Sequence, residues 1–456
     1  MTDKRREIRA SLSAMEEKRN KEAESLTDSC LVTDYQTLTT AVLQGLCWTK
    51  ALEKALEEHA AVVIPASDTT YYLDRSVAIP SHRKIVAYGA TVSLLPETDV
   101  LMFRNEHVTD GALAPEGMPE DEDISFLGGT YVECRTKRGG CGATGKYDEA
   151  HSKYGVSTCF LFSGVRGFTL KDVTFSHTAG FALQAGNLQD AVFENIAFES
   201  CYADGLHING NSENVVCRNI RGQVGDDLVA LNAFDWDNSS INFGPIKNVL
   251  CEHLDLYRDS NYKALRILPG IYYYGDGSFV DCATENILFS DVRGIKNFKL
   301  YLQTRSYPVD GKPSLTGIGT GDHIYFENID ADLDSPIDGL PNYRASDPLT
   351  GWIALFEIGA DIGGILLENI NLTVHPEYPS SAVLLVGPKS SVQNGNEVFD
   401  PYVRCTLGEL VLHNVKVNGT PITTPDSIYL HEVRFDRLYN SPLASGAGKL
   451  GKVTVE

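Results

Sequence analysis

Val215-Val-Cys-Arg-Asn-Ile-Arg-Gly222 is one copy of a pattern that recurs along this chain. The two copies before it read Phe168-Thr-Leu-Lys-Asp-Val-Thr-Phe175 and Ala191-Val-Phe-Glu-Asn-Ile-Ala-Phe198. Later copies read Val249-Leu-Cys-Glu-His-Leu-Asp-Leu256, Ile287-Leu-Phe-Ser-Asp-Val-Arg-Gly294, Ile324-Tyr-Phe-Glu-Asn-Ile-Asp-Ala331, Ile365-Leu-Leu-Glu-Asn-Ile-Asn-Leu372 and Leu410-Val-Leu-His-Asn-Val-Lys-Val417. Each is a short apolar alternation of period two, the mark of a strand, with a polar residue at its fifth place. Those residues are Asp172, Asn195, Asn219, His253, Asp291, Asn328, Asn369 and Asn414, so the steps between copies are 23, 24, 34, 38, 37, 41 and 45 residues. A shortest coil of about 23 residues with growing insertions accounts for all of them. The pattern predicts an all-β chain, a right-handed single-stranded parallel β-helix whose insertions crowd onto one side. A doubly wound α/β sheet would need a helix between strands, and the intervening segments are rich in Gly, Asn and Asp instead. The fifth-place residues, His253 among them, read as structural: inward corner residues bonded to backbone and to the neighbour one coil above.

The remaining regions are expected to frame this solenoid. Residues 1–60 read as helical, with mixed charge up to Glu24 and then Leu38, Val42, Leu46, Leu52, Ala55 and Leu56 at roughly helical spacing, an N-terminal cap for the apolar end of the solenoid. The β-helix is expected over 61–435 and a C-terminal tail over 436–456. With 43% hydrophobic residues, 22% charged residues and 40 glycines, the composition is that of a globular, turn-rich chain. A formal charge of −22 argues against a nucleic-acid partner or an anionic membrane surface, both of which need a basic footprint. No segment has the length and apolarity of a membrane span, and the charged N-terminus resembles no secretory signal, so a cytoplasmic protein with reduced thiols is expected. Cysteines such as Cys217 and Cys251 fall at apolar strand positions, where a small hydrophobe fits. Cys134 and Cys141 lack the close pairing of a zinc site, so no metal and no cofactor are expected.

The chemistry is expected in Ala203-Asp-Gly-Leu-His-Ile208 and Gly225-Asp-Asp-Leu-Val-Ala-Leu231. Asp204 precedes Asp226 and Asp227 by 22 and 23 residues, one coil of the predicted solenoid. Coils stack at ~4.8 Å, so the three carboxyl groups share one small surface and cannot all ionise without cost. One of them should hold a proton near neutral pH, and a carboxylic acid beside a carboxylate is what glycoside hydrolysis requires. Aromatic residues in the insertions, Trp236, Tyr272, Tyr273, Tyr274 and Trp352, are candidates for stacking on sugar faces.

At these residues the chain resembles the polygalacturonases, glycoside hydrolase family 28 of the pectin-lyase-like β-helix superfamily. Tyr202-Ala-Asp-Gly-Leu-His-Ile208 is similar to the family's Asn-Thr-Asp-Gly motif with its Ile-His-Ile continuation, and Gly225-Asp-Asp-Leu228 to its Gly-Asp-Asp-Cys. The likeness extends over about residues 50–430, with its specific motifs in 202–268. It implies Asp226 as general acid, Asp204 and Asp227 as holders of the attacking water, and inversion at the anomeric carbon. The family's Gly-His-Gly is absent from the segment running from Asn232 to Gly244. Its Arg-Ile-Lys survives as Arg266-Ile-Leu268, which keeps the arginine and replaces the lysine. In the family that pair grips a galacturonate carboxylate, which an isobutyl group cannot do. The resemblance therefore implies a glycosidase whose sugar need not be galacturonate, while the long insertions after Leu268, Thr304 and Asp332 and the missing export signal point to a pocket and an exo-acting enzyme on short oligosaccharides. His207, Arg266, Lys263, Trp236 and Tyr273 are its candidate substrate contacts. Two alternatives stay open: a calcium-dependent polysaccharide lyase using the same three carboxylates, and a non-catalytic carbohydrate-binding β-helix.

Overall fold

The computed structural model describes residues 2–96, 98, 100–108, 120–133, 158–234, 241–260, 263–274, 276–300, 319–333, 354–376, 381–387, 391–393, 396–398, 405–432 and 448–456. The chain is a right-handed parallel β-helix with N-terminal helical elements. Long strands, among them Phe181–Glu199, Ser212–Gly222, Ile246–Leu256, Thr284–Arg293, Thr320–Leu333, Asp361–Val374 and Cys405–Val417, pair in parallel in sequence order. Val192 stands opposite Val216, Val216 opposite Leu250 and Leu250 opposite Leu288, so each predicted repeat is one rung. The inward rows are apolar and partly aromatic. Phe175 stacks on Phe198 with ring centroids 5.9 Å apart, and Phe298 on Phe356 at 5.1 Å.

The fifth-place residues form a ladder, but it faces outward. Asn195, Asn219, His253, Asp291, Asn328, Asn369 and Asn414 all take left-handed φ between 51° and 58°, which bends each strand without ending it. Asn, Asp and His tolerate that conformation better than other side chains. The bend turns their side chains to solvent, where they bond rung to rung: Asn219 Nδ2 donates to Asn195 Oδ1 at 3.0 Å, and Asn414 Nδ2 to Asn369 Oδ1 at 2.7 Å. A second ladder, Asp190–Asn214–Asn248–Asn286, makes a second bend in the same way. Between the two bends lies one flat face of the solenoid.

The N-terminal region is only partly helical. Helix α1, Thr2–Glu24, and helix α2, Thr49–Glu58, are separated by a short 3-10 turn and by an antiparallel pair, Thr40–Val42 with Gly45–Cys47. Thus Val42 and Leu46, assigned above to a helix, lie on strands. The cap is α2, whose Ala51, Leu52, Ala55 and Leu56 are buried in the main core beside Val62, Leu73, Val77 and Ile79. Helix α1 does a different job: it lies along the flat face between the ladders. Its length of ~34 Å, at 1.5 Å per residue, matches seven rung spacings of ~4.8 Å. Ile8, Leu12 and Met15 cover the outward apolar row Val216, Leu250, Leu288, Tyr325, Leu366. The adjoining outward row is charged and meets the helix rung by rung. Arg5 pairs with Glu327 and Glu368, Arg9 with Glu252 and Glu327, Glu16 with Arg218, and Arg19 with Asp123.

At the other end, Gly448–Val455 pairs in parallel with Cys405–Val417, so the C-terminal segment adds a rung to the sheet. The described cysteines form no disulfide, and Cys217 and Cys251 are buried rung neighbours, as their apolar positions suggest. Cys134 and Cys141 lie outside the described residues. No described helix is long and apolar enough to cross a membrane.

Candidate active site

The site stands on a second face of the solenoid, built by the short strands Leu206–Asn209, Val229–Asn232, Ala264–Leu268 and Asn297–Leu300. Leu206 is opposite Val229 and Ile208 opposite Leu231, and the ladder continues back through Gly205 N–H to the Asp227 carbonyl at 3.0 Å. That register sets Asp204 against Asp227, one coil apart. The glycines of both motifs are what allow it. A Cβ on Gly205 would lie 2.7 Å from the Leu228 carbonyl oxygen, and one on Gly225 only 1.9 Å from that of Tyr202. The Asp-Gly and Gly-Asp-Asp sequences therefore serve close stacking of two turns, and the stacking delivers the carboxylates.

One oxygen from each of Asp204, Asp226 and Asp227 lies within 4.8 Å of the others. The three differ sharply in access: Asp204 and Asp227 are 3% and 0% exposed, while the Asp226 side chain is 34% exposed. Asp204 Oδ1 accepts the backbone N–H of Asp227 at 3.2 Å, and its Oδ2 lies 2.7 Å from His207 Nδ1. Arg266 Nε is 2.6 Å from Asp227 Oδ2, an ion pair at contact distance whose N–H is not aimed along the line between the atoms. Arg266 Nη2 also reaches Asp226 Oδ1 at 3.5 Å. Burial is the largest influence on Asp227 and pushes its carboxyl up to about 7. The Arg266 and Lys299 charges oppose that rise, and Asp226 and Asp204 add to it. Asp227 therefore keeps its proton up to near neutral pH.

Lys299 was not singled out from the sequence. Arg266 is opposite Ala230, Lys299 opposite Arg266 and Glu357 opposite Lys299, so His207, Ala230, Arg266, Lys299 and Glu357 form one outward row over five rungs. Lys299 is buried, and burial lowers its pKa against the opposing pull of Asp227, Asp226 and Glu357. The signal was present in the alignment of Asn297-Phe-Lys-Leu300 with Ala264-Leu-Arg-Ile267, but the irregular insertion between them hid the register. Leu268 stands opposite Asn232 and is buried in the core.

The other expected contacts fare differently. His207 is buried, stacked on Phe181 with centroids 4.1 Å apart, and its ring nitrogens face Asp204, Asn209 and Asn232. Lys263 is half-buried at the entry to the Arg266 strand, where its carbonyl accepts the Lys296 N–H at 2.8 Å. Tyr272 packs flat on Phe243 at 3.8 Å and edge-on to Tyr274 at 5.2 Å, so these two hold a loop to the coil. Tyr273 ends the hairpin strand Gly270–Tyr273. Trp236 and Trp352 lie outside the described residues.

No protein-family model matches this sequence, and no curated protein matches it either. Solved structures do. The hyperthermoactive exopolygalacturonase of Thermotoga maritima aligns over 97% of this chain and 96% of its own, with a TM-score of 0.51 and 12% identity. The family 28 exopolygalacturonase of Yersinia enterocolitica aligns over 94% of this chain and 78% of its own, again with a TM-score of 0.51 and 12% identity. The catalytic unit of a GH87 α-1,3-glucanase from Streptomyces thermodiastaticus aligns over 95% of this chain and 68% of its own, with a TM-score of 0.44 and 15% identity. At such identities the likeness to the two exopolygalacturonases establishes the architecture alone, a right-handed parallel β-helix.

Proposed function

We propose that this chain is a glycoside hydrolase that cleaves oligosaccharides with inversion, acting from a chain end. The observation that carries the proposal is the convergence of three carboxyl groups in graded burial, of which Asp227 is held protonated up to near neutral pH by its burial. Asp226, the accessible member, meets the glycosidic oxygen as general acid. Asp204 and Asp227 hold the water beneath it. Their oxygens lie closer than the ~6.5–9.5 Å usual between the two carboxyl groups of inverting enzymes and nearer the ~5–5.5 Å of retaining ones. Access argues the other way and is the stronger ground. A retaining enzyme needs two carboxylates in contact with the sugar, and neither Asp204 nor Asp227 is open enough for an anomeric carbon to reach. Water is small enough to serve as the nucleophile.

Arg266 and buried Lys299 act as counter-charges to the acids, so a uronate substrate is not demanded by the site. They also weigh against a divalent cation among the three carboxylates, because two positive charges already face that cluster. The likeness to exopolygalacturonases supports a carbohydrate substrate and the exo mode at the level of fold.

The test is a reducing-sugar screen over neutral and uronic oligosaccharides, with Asp226→Asn as control and proton NMR of the first product anomer. Hydrolysis with inversion, lost in the variant and unchanged by a chelator, is the expected result. A retained anomer would overturn the assigned roles. An unsaturated, ultraviolet-absorbing product that requires calcium would establish a lyase, and no cleavage of any glycan would leave a binding protein.

A further inference from the structure

We propose that His207 is a positioning residue for Asp204: a neutral imidazole, protonated on Nδ1, that fixes the orientation of the water-holding Asp204 carboxyl group in the cluster. The consequence for catalysis rests on the hydrolase reading above, whereas the tautomer and the hydrogen bond do not.

The tautomer follows from groups whose polarity is fixed. The Asn209 side chain is oriented by two backbone partners. The Ile241 N–H donates to its Oδ1 at 3.2 Å, and its Nδ2 donates to the Asn232 carbonyl at 3.3 Å. Gln184 Nε2 donates to the same Oδ1 at 3.0 Å, which agrees with that orientation. The amide end of Asn209 is therefore the end that faces His207 Nε2, at 3.4 Å. Asn232 Nδ2 faces the same ring nitrogen, also at 3.4 Å. A nitrogen met by the amide hydrogens of an Asn209 side chain oriented in this way is an acceptor and carries no proton of its own. The ring proton is then on Nδ1, 2.7 Å from Asp204 Oδ2. An imidazolium would direct an Nε2–H at those two amide groups, so the pocket selects the neutral ring.

The ring cannot turn away from this arrangement, because it is stacked on Phe181 with an interplanar angle of 18° and is 2% exposed. Asp204 consequently accepts on both oxygens, from His207 on Oδ2 and from the Asp227 backbone N–H on Oδ1. Those two hydrogen bonds hold the carboxyl group in one orientation. They also set the plane in which its remaining lone pairs point. The three-residue spacing of Asp204 and His207 across Gly205 reads as a hydrogen-bonded unit, with the histidine acting through the aspartate rather than on the sugar.

The experiment has two arms. The first uses protein labelled with ¹⁵N in its histidines, with the His207 signals identified by their loss in His207→Asn. A pyrrole-type Nδ1 and a pyridine-type Nε2 at neutral pH are expected, and a proton on Nε2, alone or with Nδ1, would overturn the proposal. This arm needs no substrate. The second compares His207→Leu and His207→Asn, with folding checked by circular dichroism, on whichever oligosaccharide the screen shows to be cleaved. Loss of a second-layer orienting partner typically costs ~10–100-fold, so His207→Leu should lower kcat by about that factor with KM nearly unchanged. His207→Asn, whose amide N–H can take the place of Nδ1–H, should recover most of it. A raised KM with unchanged kcat in His207→Leu would make His207 a substrate contact and refute the positioning role. If nothing is cleaved, the hydrolase reading fails while the labelling arm still decides the His207–Asp204 unit.

Discussion

Asp227→Asn gives the sharpest test of the site's electrostatics, because it needs no substrate. Burial raises the Asp227 carboxyl from 3.8 to about 7 in the folded chain, and in the unfolded chain it returns to the ordinary value. Between those two values the folded state binds the proton and the unfolded state does not. Stability from this group is therefore fully present below about pH 4 and is lost as pH rises through about 7. A shift of roughly three units at 1.36 kcal/mol each makes the total about 4 kcal/mol. An asparagine cannot titrate, so the variant lacks this dependence whatever constant change it brings. The assay is equilibrium urea unfolding of both proteins at intervals from pH 4 to 8.5. The parent should lose about 4 kcal/mol relative to the variant over that range, most of it between pH 5 and 8. A constant difference, or a parent that gains on the variant as pH rises, would show that Asp227 is ionised in the folded protein. The account of Asp227 as a buried, protonated acid would then be wrong.

Further outcomes concern the scaffold. Leu12→Ala, at the buried centre of the α1 strap, should cost about 2–3 kcal/mol by urea unfolding, and a change near zero would mean that the strap adds little to stability. Gly225→Ala would drive a Cβ into the Tyr202 carbonyl at 1.9 Å. It should cost about 3 kcal/mol and pull Asp226 and Asp227 away from Asp204, read as loss of cleavage in a protein of reduced melting temperature. Asn219→Ala should cost about 1–2 kcal/mol because alanine resists the left-handed φ, while Asn219→Gly should cost only a few tenths, and equal costs would place the effect in the ladder hydrogen bond instead.

Local pattern and tertiary register contributed different things. Alternation with a period of two, repeated at a coil's spacing, is a local property, so the strands, the parallel stacking and the meeting of Asp204 with Asp226 and Asp227 were all legible in the amino-acid order. So was α2 as an end cap, from Leu52, Ala55 and Leu56. The strap role of α1 was not legible, because its partners Glu252, Glu327 and Glu368 are more than two hundred residues away in sequence and become a row only when rungs stack. Double-sided apolar triplets such as Val249-Leu-Cys251 were the hint that the outer face is covered. The outward turn of the Asn ladder was missed for a backbone reason: a left-handed φ inside a strand reverses the side on which the residue would otherwise fall.

What the sequence determined by itself is the coil, and with it the company of three acids, since a repeat length carries its own geometry. Only the tertiary structure decided how those acids differ. Which one is buried, which is open, and that Lys299 and His207 stand beside the cluster depend on how neighbouring rungs stack. Those neighbours are brought into place through insertions of irregular length, and no spacing in the sequence records where such an insertion returns the chain.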